Sequence, residues 1–200
     1  KIDDSEPNTL AYDFMKLIFD KRPTLHASFP YPGPDHLRRK VKLLFDYGVK
    51  KNPGNKAFFA ELEKAVAAWH EDKTKRFAVC CGSKAQLSEI YNFLINLKVP
   101  VKPYSGDTNE KAKFEDLKDP DSAWLAFGCI ASTTSLSIGV DPKKINFDRV
   151  FMWTHRMGCT LLAMFQAAMR FGRQASHPLG NQTICMLVTC IPPSVHAALV

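Results

Sequence analysis

No apolar run in this 200-residue chain approaches the roughly 18 residues a membrane-crossing helix needs, so no segment reads as one. None of the ten glycines is followed by Lys, so the Gly-x-x-x-x-Gly-Lys-Ser/Thr loop that cradles nucleotide phosphates on backbone N–H groups is missing. No Asp-Glu dipeptide is present to hold Mg²⁺ and activate water. Together these absences exclude a complete ATPase within this chain alone. The six cysteines form no Cys-x-x-Cys pair and the six histidines show no ligand spacing, which argues against a zinc site. There is no basic tail and no signal-peptide pattern in the polar start Lys1-Ile2-Asp3-Asp4-Ser5-Glu6. The missing initiator Met leads us to expect a piece of a longer protein.

What is present suits one α/β core with an appendage. Hydrophobic residues make up 46% and charged residues 24%, an ordinary globular balance. The net charge of +7 is spread evenly over the chain, compatible with a polyanionic partner without requiring one. Five of the six cysteines lie in or beside apolar runs, so buried reduced thiols and an intracellular, reducing compartment are expected.

The first 55 residues read as a helical connector or inserted segment. Leu10, Phe14, Leu17 and Ile18 share one helical face over 9–20. Pro23, Pro30, Pro32 and Pro34 mark a connector. Asp35 reads as the N-cap of a second helix ending at Gly48, with Leu37, Val41, Leu44 and Phe45 inward and Arg38, Arg39, Lys40 and Lys42 outward. A third helix over 56–71 carries Phe58, Phe59, Leu62, Val66 and Trp69.

From residue 77 the pattern changes. Phe77-Ala78-Val79-Cys80-Cys81 is a short continuous apolar run, as in a strand buried on both faces. Further strands are expected at Val99–Tyr104, Trp124–Ile130, Val150–Trp153 and Thr183–Cys190, with helices over 84–97, 109–118 and 158–173. The alternation implies a parallel sheet of five or six strands covered on both sides. Ligands of such sheets sit beyond the carboxyl ends of the strands, which directs attention to loops 82–86, 105–109, 131–141 and 154–158.

Four signals fall there. Cys81-Gly82-Ser83-Lys84 puts a hydroxyl and a Lys at a strand-to-helix junction, where Ser83 also suits an N-cap. Tyr104-Ser105-Gly106-Asp107-Thr108 follows the next strand, and Thr108 suits a cap for the helix after it. Five hydroxyls from Ser132 to Ser137 precede Gly139-Val140-Asp141, which by itself suits a Ser/Thr-rich capped turn first, and where free N–H groups and hydroxyls also suit a nucleic-acid phosphate. On the last helix, Gln166, Arg170 and Arg173 fall within a sector of about 60°, opposite Leu161, Met164, Ala168 and Phe171. That stripe fits a solvated face, and it also fits a clamp of planar, permanently charged guanidinium groups on phosphate.

In this order, the four resemble the second, C-terminal RecA-like lobe of superfamily 2 helicases over about residues 56–191. The most specific part is Gln166-Ala167-Ala168-Met169-Arg170-Phe171-Gly172-Arg173, which is similar to that family's last motif. Ala131-Ser132-Thr133-Thr134-Ser135, Phe147-Asp148-Arg149-Val150-Phe151-Met152-Trp153 and Met164-Phe165-Gln166 look most like the herpesvirus-type replication-origin-binding helicases. The resemblance implies that Arg170 and Arg173 are arginine fingers and that Gln166 positions nucleotide or water. Gly139 and Asp141 would couple nucleotide to strand, with Ser83, Lys84, Ser105, Gly106, Thr133 and Thr134 against the strand's backbone. ATP and Mg²⁺ would sit mainly on an N-terminal lobe of the same parent protein. The partner would be DNA, single-stranded or duplex, with RNA open, and the location nuclear or a viral replication site. Met169 departs from the family's usual Gly, which leaves open a degenerate, non-catalytic lobe that only binds nucleic acid or protein. An unrelated α/β domain with a generic polar helix is the third alternative.

Overall fold

The computed structural model describes residues 24–28, 40–46, 53–136, 142, 144–155, 163–164, 167–168, 171 and 183–189. The elements are β1 (Thr24–Ser28), β2 (Lys40–Asp46), α1 (Pro53–Glu71), β3 (Arg76–Cys81), α2 (Lys84–Asn96), β4 (Val101–Tyr104), α3 (Glu110–Lys118), α4 (Pro120–Ala123), β5 (Cys129–Ser132), β6 (Phe147–His155) and β7 (Thr183–Thr189). A single 3₁₀ turn, Thr134–Leu136, follows β5. Ala163–Met164 and Ala167–Ala168 are helical as well. Residues 9–20, Leu161 and the Pro-rich stretch apart from β1 lie outside the described residues.

The strands form one sheet in the order β1-β2-β7-β6-β3-β5-β4. Only β1 runs antiparallel; β2, β7, β6, β3, β5 and β4 are parallel to one another. The strand at the centre explains why both faces must be covered. All of β3 after Arg76 is buried. Its alternate side chains enter different cores, Ala78 and Cys80 on one face and Phe77, Val79 and Cys81 on the other. Over the second face lie Phe58, Leu62, Val66 and Trp69 of α1 with Leu87, Ile90 and Leu94 of α2. Over the first lie Met164, Ala167, Ala168 and Phe171, joined by Trp124 and Leu136. The result is a three-layer α/β/α arrangement.

Three expectations are corrected. Lys40–Asp46, expected as part of a helix capped by Asp35, is a strand paired in parallel with β7 from Lys40↔Thr183 to Asp46↔Thr189. The preceding segment is therefore not purely helical, because β1 and β2 extend the sheet. The local Leu37/Val41/Leu44/Phe45 spacing lost to the ladder that β7 offers, tertiary pairing overriding a short periodicity. Trp124–Ile130 is a strand only from Cys129. Asp119 accepts a hydrogen bond from the Ser122 N–H and Pro120 sits at the first helical position, so a short helix forms there and Trp124 closes it. Trp124 enters the core and donates its indole N–H to the Tyr104 hydroxyl at 2.9 Å. The cap of α3 is Asn109, whose Oδ1 accepts from Lys111 N at 3.0 Å and Ala112 N at 3.2 Å. Thr108 instead uses its Oγ1 to accept from Ser105 N at 2.8 Å.

One acidic side chain ties three elements together. Glu61 of α1 lies 3.0 Å from Lys42 of β2, 2.8 Å from Lys64 and 3.5 Å from Arg149 of β6. Burial pushes its carboxyl up, but the hydrogen bonds and charges of Lys64 and Lys42 outweigh this and hold it below the ordinary value. Cys80, Cys81, Cys129 and Cys185 are buried and in no disulfide. Burial pushes the Cys185 thiol up to about 12. Among the described residues no helix is long and apolar enough to cross a membrane.

Candidate nucleic-acid interface at the carboxyl edge

Parallel pairing puts the carboxyl ends of β3, β4, β5 and β6 at one edge of the sheet. Tyr104 and Cys80 both pair with Ser132, and Cys81 pairs with Trp153. The chain leaves β3 toward β4 at one side of the sheet and leaves β6 toward β7 at the other. Adjacent strands whose connections diverge open a crevice at that edge, the usual ligand position of open α/β sheets.

The loops at this edge are fixed by hydrogen bonds. Gly82 N donates to Trp153 O at 2.8 Å, fastening the loop after β3 to β6. Ser83 caps α2, its Oγ accepting from Gln86 N at 3.2 Å. The N-terminus of a 13-residue helix therefore opens onto the edge, and its N–H groups and dipole favour an anion there. Lys84, the first residue of that helix, forms an ion pair with Asp107 from the loop after β4. In that loop the Ser105 Oγ accepts from Asp107 N at 3.1 Å, and Thr108 N donates to Ser105 O at 3.2 Å.

After β5, Thr133 N donates to Tyr104 O at 2.9 Å, carrying the β4–β5 ladder one residue further. The Thr133 and Ser135 hydroxyls are 3.2 Å apart. Lys113 of α3 reaches over to donate to Ser135 O at 2.6 Å. The end of β4 is braced from below. The Tyr104 hydroxyl donates to Asp116 at 3.0 Å, and Lys102 pairs with the same carboxylate at 2.8 Å. Burial, with Asp116 adding to it against the Trp124 hydrogen bond, pushes the Tyr104 phenol far up, so it stays a donor.

The structure thus brings Ser83, Lys84, Ser105, Gly106, Thr133 and Thr134 to one edge. Gly139, Asp141, Gln166, Arg170 and Arg173 lie outside the described residues, as does Met169. The core side of the last helix matches its pattern: Met164, Ala168 and Phe171 are buried. Phe171 stacks edge-on to Phe147, with centroids 5.2 Å apart. Two contributors escaped the sequence reading. Asp107 lies within the Tyr104–Thr108 run, but its spacing points to no partner, and nothing in the spacing links Lys113 to Ser135. Both depend on contacts between loops of different strands.

These features define a RecA-like α/β lobe with a polar, hydroxyl-bearing carboxyl edge. No protein-family model and no curated protein matches the chain. Solved structures match it in fold. The C-terminal part of the Fun30 ATPase domain has a TM-score of 0.50 at 16% identity, covering 65% of this chain and 40% of that one. The helicase MrfA bound to DNA gives 0.51 at 18% identity, covering 78% of this chain and 21% of that one. Domain 2 of the DEAD-box helicase Mss116p, bound to an RNA duplex, gives 0.52 at 13% identity, covering 74% of this chain and 53% of that one. This chain spans about half or less of the length of each, and the likeness is one of fold.

Proposed function

We propose that this chain is the C-terminal lobe of an ATP-dependent DNA helicase or translocase. It grips a nucleic-acid strand by its phosphates and completes a nucleotide site shared with a first lobe of the same parent protein. The observation that carries the reading is the convergence of Ser83, Lys84, Ser105, Gly106, Thr133 and Thr134 at the carboxyl edge of a RecA-like sheet. Backbone N–H groups, hydroxyls and a Lys suit phosphates and carry no base-reading geometry, so the grip is independent of sequence. In this reading Arg170 and Arg173 supply positive charge to the γ-phosphate. Gln166 orients nucleotide or water, and Gly139 and Asp141 couple nucleotide to strand. The chain's sequence carries no Gly-x-x-x-x-Gly-Lys-Ser/Thr loop and no Asp-Glu pair, so the reading assigns ATP and Mg²⁺ mainly to the first lobe. The herpesvirus-like motifs support a role in origin-dependent DNA replication, at a nuclear or viral replication site.

The test is Arg173→Ala in the protein carrying both lobes. Loss of an arginine finger lowers turnover by about 10³-fold or more, with the fold retained. Substantial residual ATP hydrolysis would sink the catalytic reading. The second reading, a non-catalytic binding lobe, is favoured by Met169 in place of Gly. Equal turnover by the wild type and a Gln166/Arg170/Arg173 triple alanine variant would support it.

A further inference from the structure

Resting on the strand-gripping reading of this edge, we propose that Asp107 is a built-in competitor for the strand: it holds Lys84 until a phosphate displaces it. Lys84 begins α2, directly after its Ser83 cap, where backbone N–H groups favour an anion. The anion now paired with the Lys84 ammonium is the Asp107 carboxylate. Asp107 is not a loose surface acid. The Ser105–Asp107 and Ser105–Thr108 hydrogen bonds close its turn on itself, so the carboxylate is presented from a fixed backbone. The same turn brings Gly106 against the Lys84 stem, where a Cβ would lie 3.8 Å from Cε.

The two ends of the pair differ. Asp107 is held by its turn, whereas Lys84 is a flexible stem that can swing to a new acceptor. The side chains are 74% and 58% exposed, and exposed ion pairs are weak enough for a phosphate to replace. Strand entry therefore exchanges one ion pair for another, and the lobe's hold on short or weakly charged ligands is reduced. The pair also joins the loops after β3 and β4, so displacement frees them from each other as the strand enters.

The experiment is fluorescence anisotropy of a fluorescein-labelled oligothymidylate with the 200-residue chain across a KCl series. The forms compared are wild type, Asp107→Asn, Lys84→Ala and the double variant, each checked for fold by circular dichroism. Asp107→Asn is expected to bind about two- to fivefold more tightly, the scale of one exposed ion pair. Its plot of log affinity against log salt should keep the wild-type slope, because Lys84 meets a phosphate in both complexes, whereas Lys84→Ala should flatten it by about 0.7, one phosphate contact on a single strand. In the Lys84→Ala background the gain should vanish. An equal gain in both backgrounds, or no gain in either, overturns the competitor role while leaving the strand grip standing. Absence of binding by every form overturns the strand grip and the competitor role with it.

Discussion

Gly128→Ala tests whether the packing around β5 is as tight as the geometry says. A Cβ at residue 128 would lie 2.6 Å from Trp69 Cε2, 2.7 Å from Nε1 and 2.9 Å from Cδ2. Ordinary carbon contacts need about 3.5 Å or more, so the indole or the backbone must move by roughly 1 Å. The backbone is pinned on both sides: Gly128 N donates to Pro100 O at 3.0 Å, and Phe77 N donates to Gly128 O at 3.1 Å. The indole is itself nearly buried, and Lys73 covers it, with Nζ 3.5 Å from the ring centroid. Overpacking of this kind costs about 1–3 kcal/mol. Urea unfolding followed by far-ultraviolet circular dichroism should show a lowered midpoint with an unchanged m-value. Trp69→Phe makes room for the methyl, so the double variant should be more stable than the two single losses added together. Strand binding under native conditions should be unaffected, because Thr133 lies about 16 Å further along the strand. A neutral Gly128→Ala, or strict additivity with Trp69→Phe, would refute the reasoning.

Two further predictions follow from polar contacts that bind elements together. Glu61→Gln should lower stability by about 1 kcal/mol near neutral pH, since it weakens the attachment of α1 to Lys42 and Arg149. The folded carboxyl is held below its unfolded value, so its contribution is full above the unfolded pKa and fades as pH falls through the folded one. Urea midpoints of wild type and variant should therefore converge in acid, and a constant gap would count against the assignment. Tyr104→Phe should cost about 1–3 kcal/mol by leaving the buried Trp124 indole N–H without its acceptor. A variant as stable as wild type would show that Trp124 finds another acceptor.

Much of the fold was legible because β3 is short, apolar after Arg76 and followed by a capped amphipathic helix, a pattern that suits a doubly covered parallel strand. The helix core residues Met164, Ala168 and Phe171 were legible for the same reason, as periodicity reports burial directly. The misreadings have different causes. Lys40–Asp46 pairs with a strand some 140 residues away, which does not register in a local window, whereas Trp124 closes a short helix that Asp119 and Pro120 start just before it. At the carboxyl edge, the hydroxyls and Lys84 were visible as residue types near strand ends. Their present engagements were not: Ser83 is used as a cap, Ser105 as a turn acceptor and Lys84 as the partner of Asp107.

The amino-acid sequence by itself determined the class of the lobe and the order of its candidate motifs, along with the absence of a phosphate-binding loop. Those properties follow from residue type and spacing, which survive any arrangement of the chain. Only the tertiary structure decided that the sheet runs on through β7 and β2 to an antiparallel β1, that Trp69 forbids a side chain at residue 128, and that Asp107 confronts Lys84. Each of these is a contact between segments distant in the chain. Its energy depends on distances of a few ångströms that no local pattern encodes.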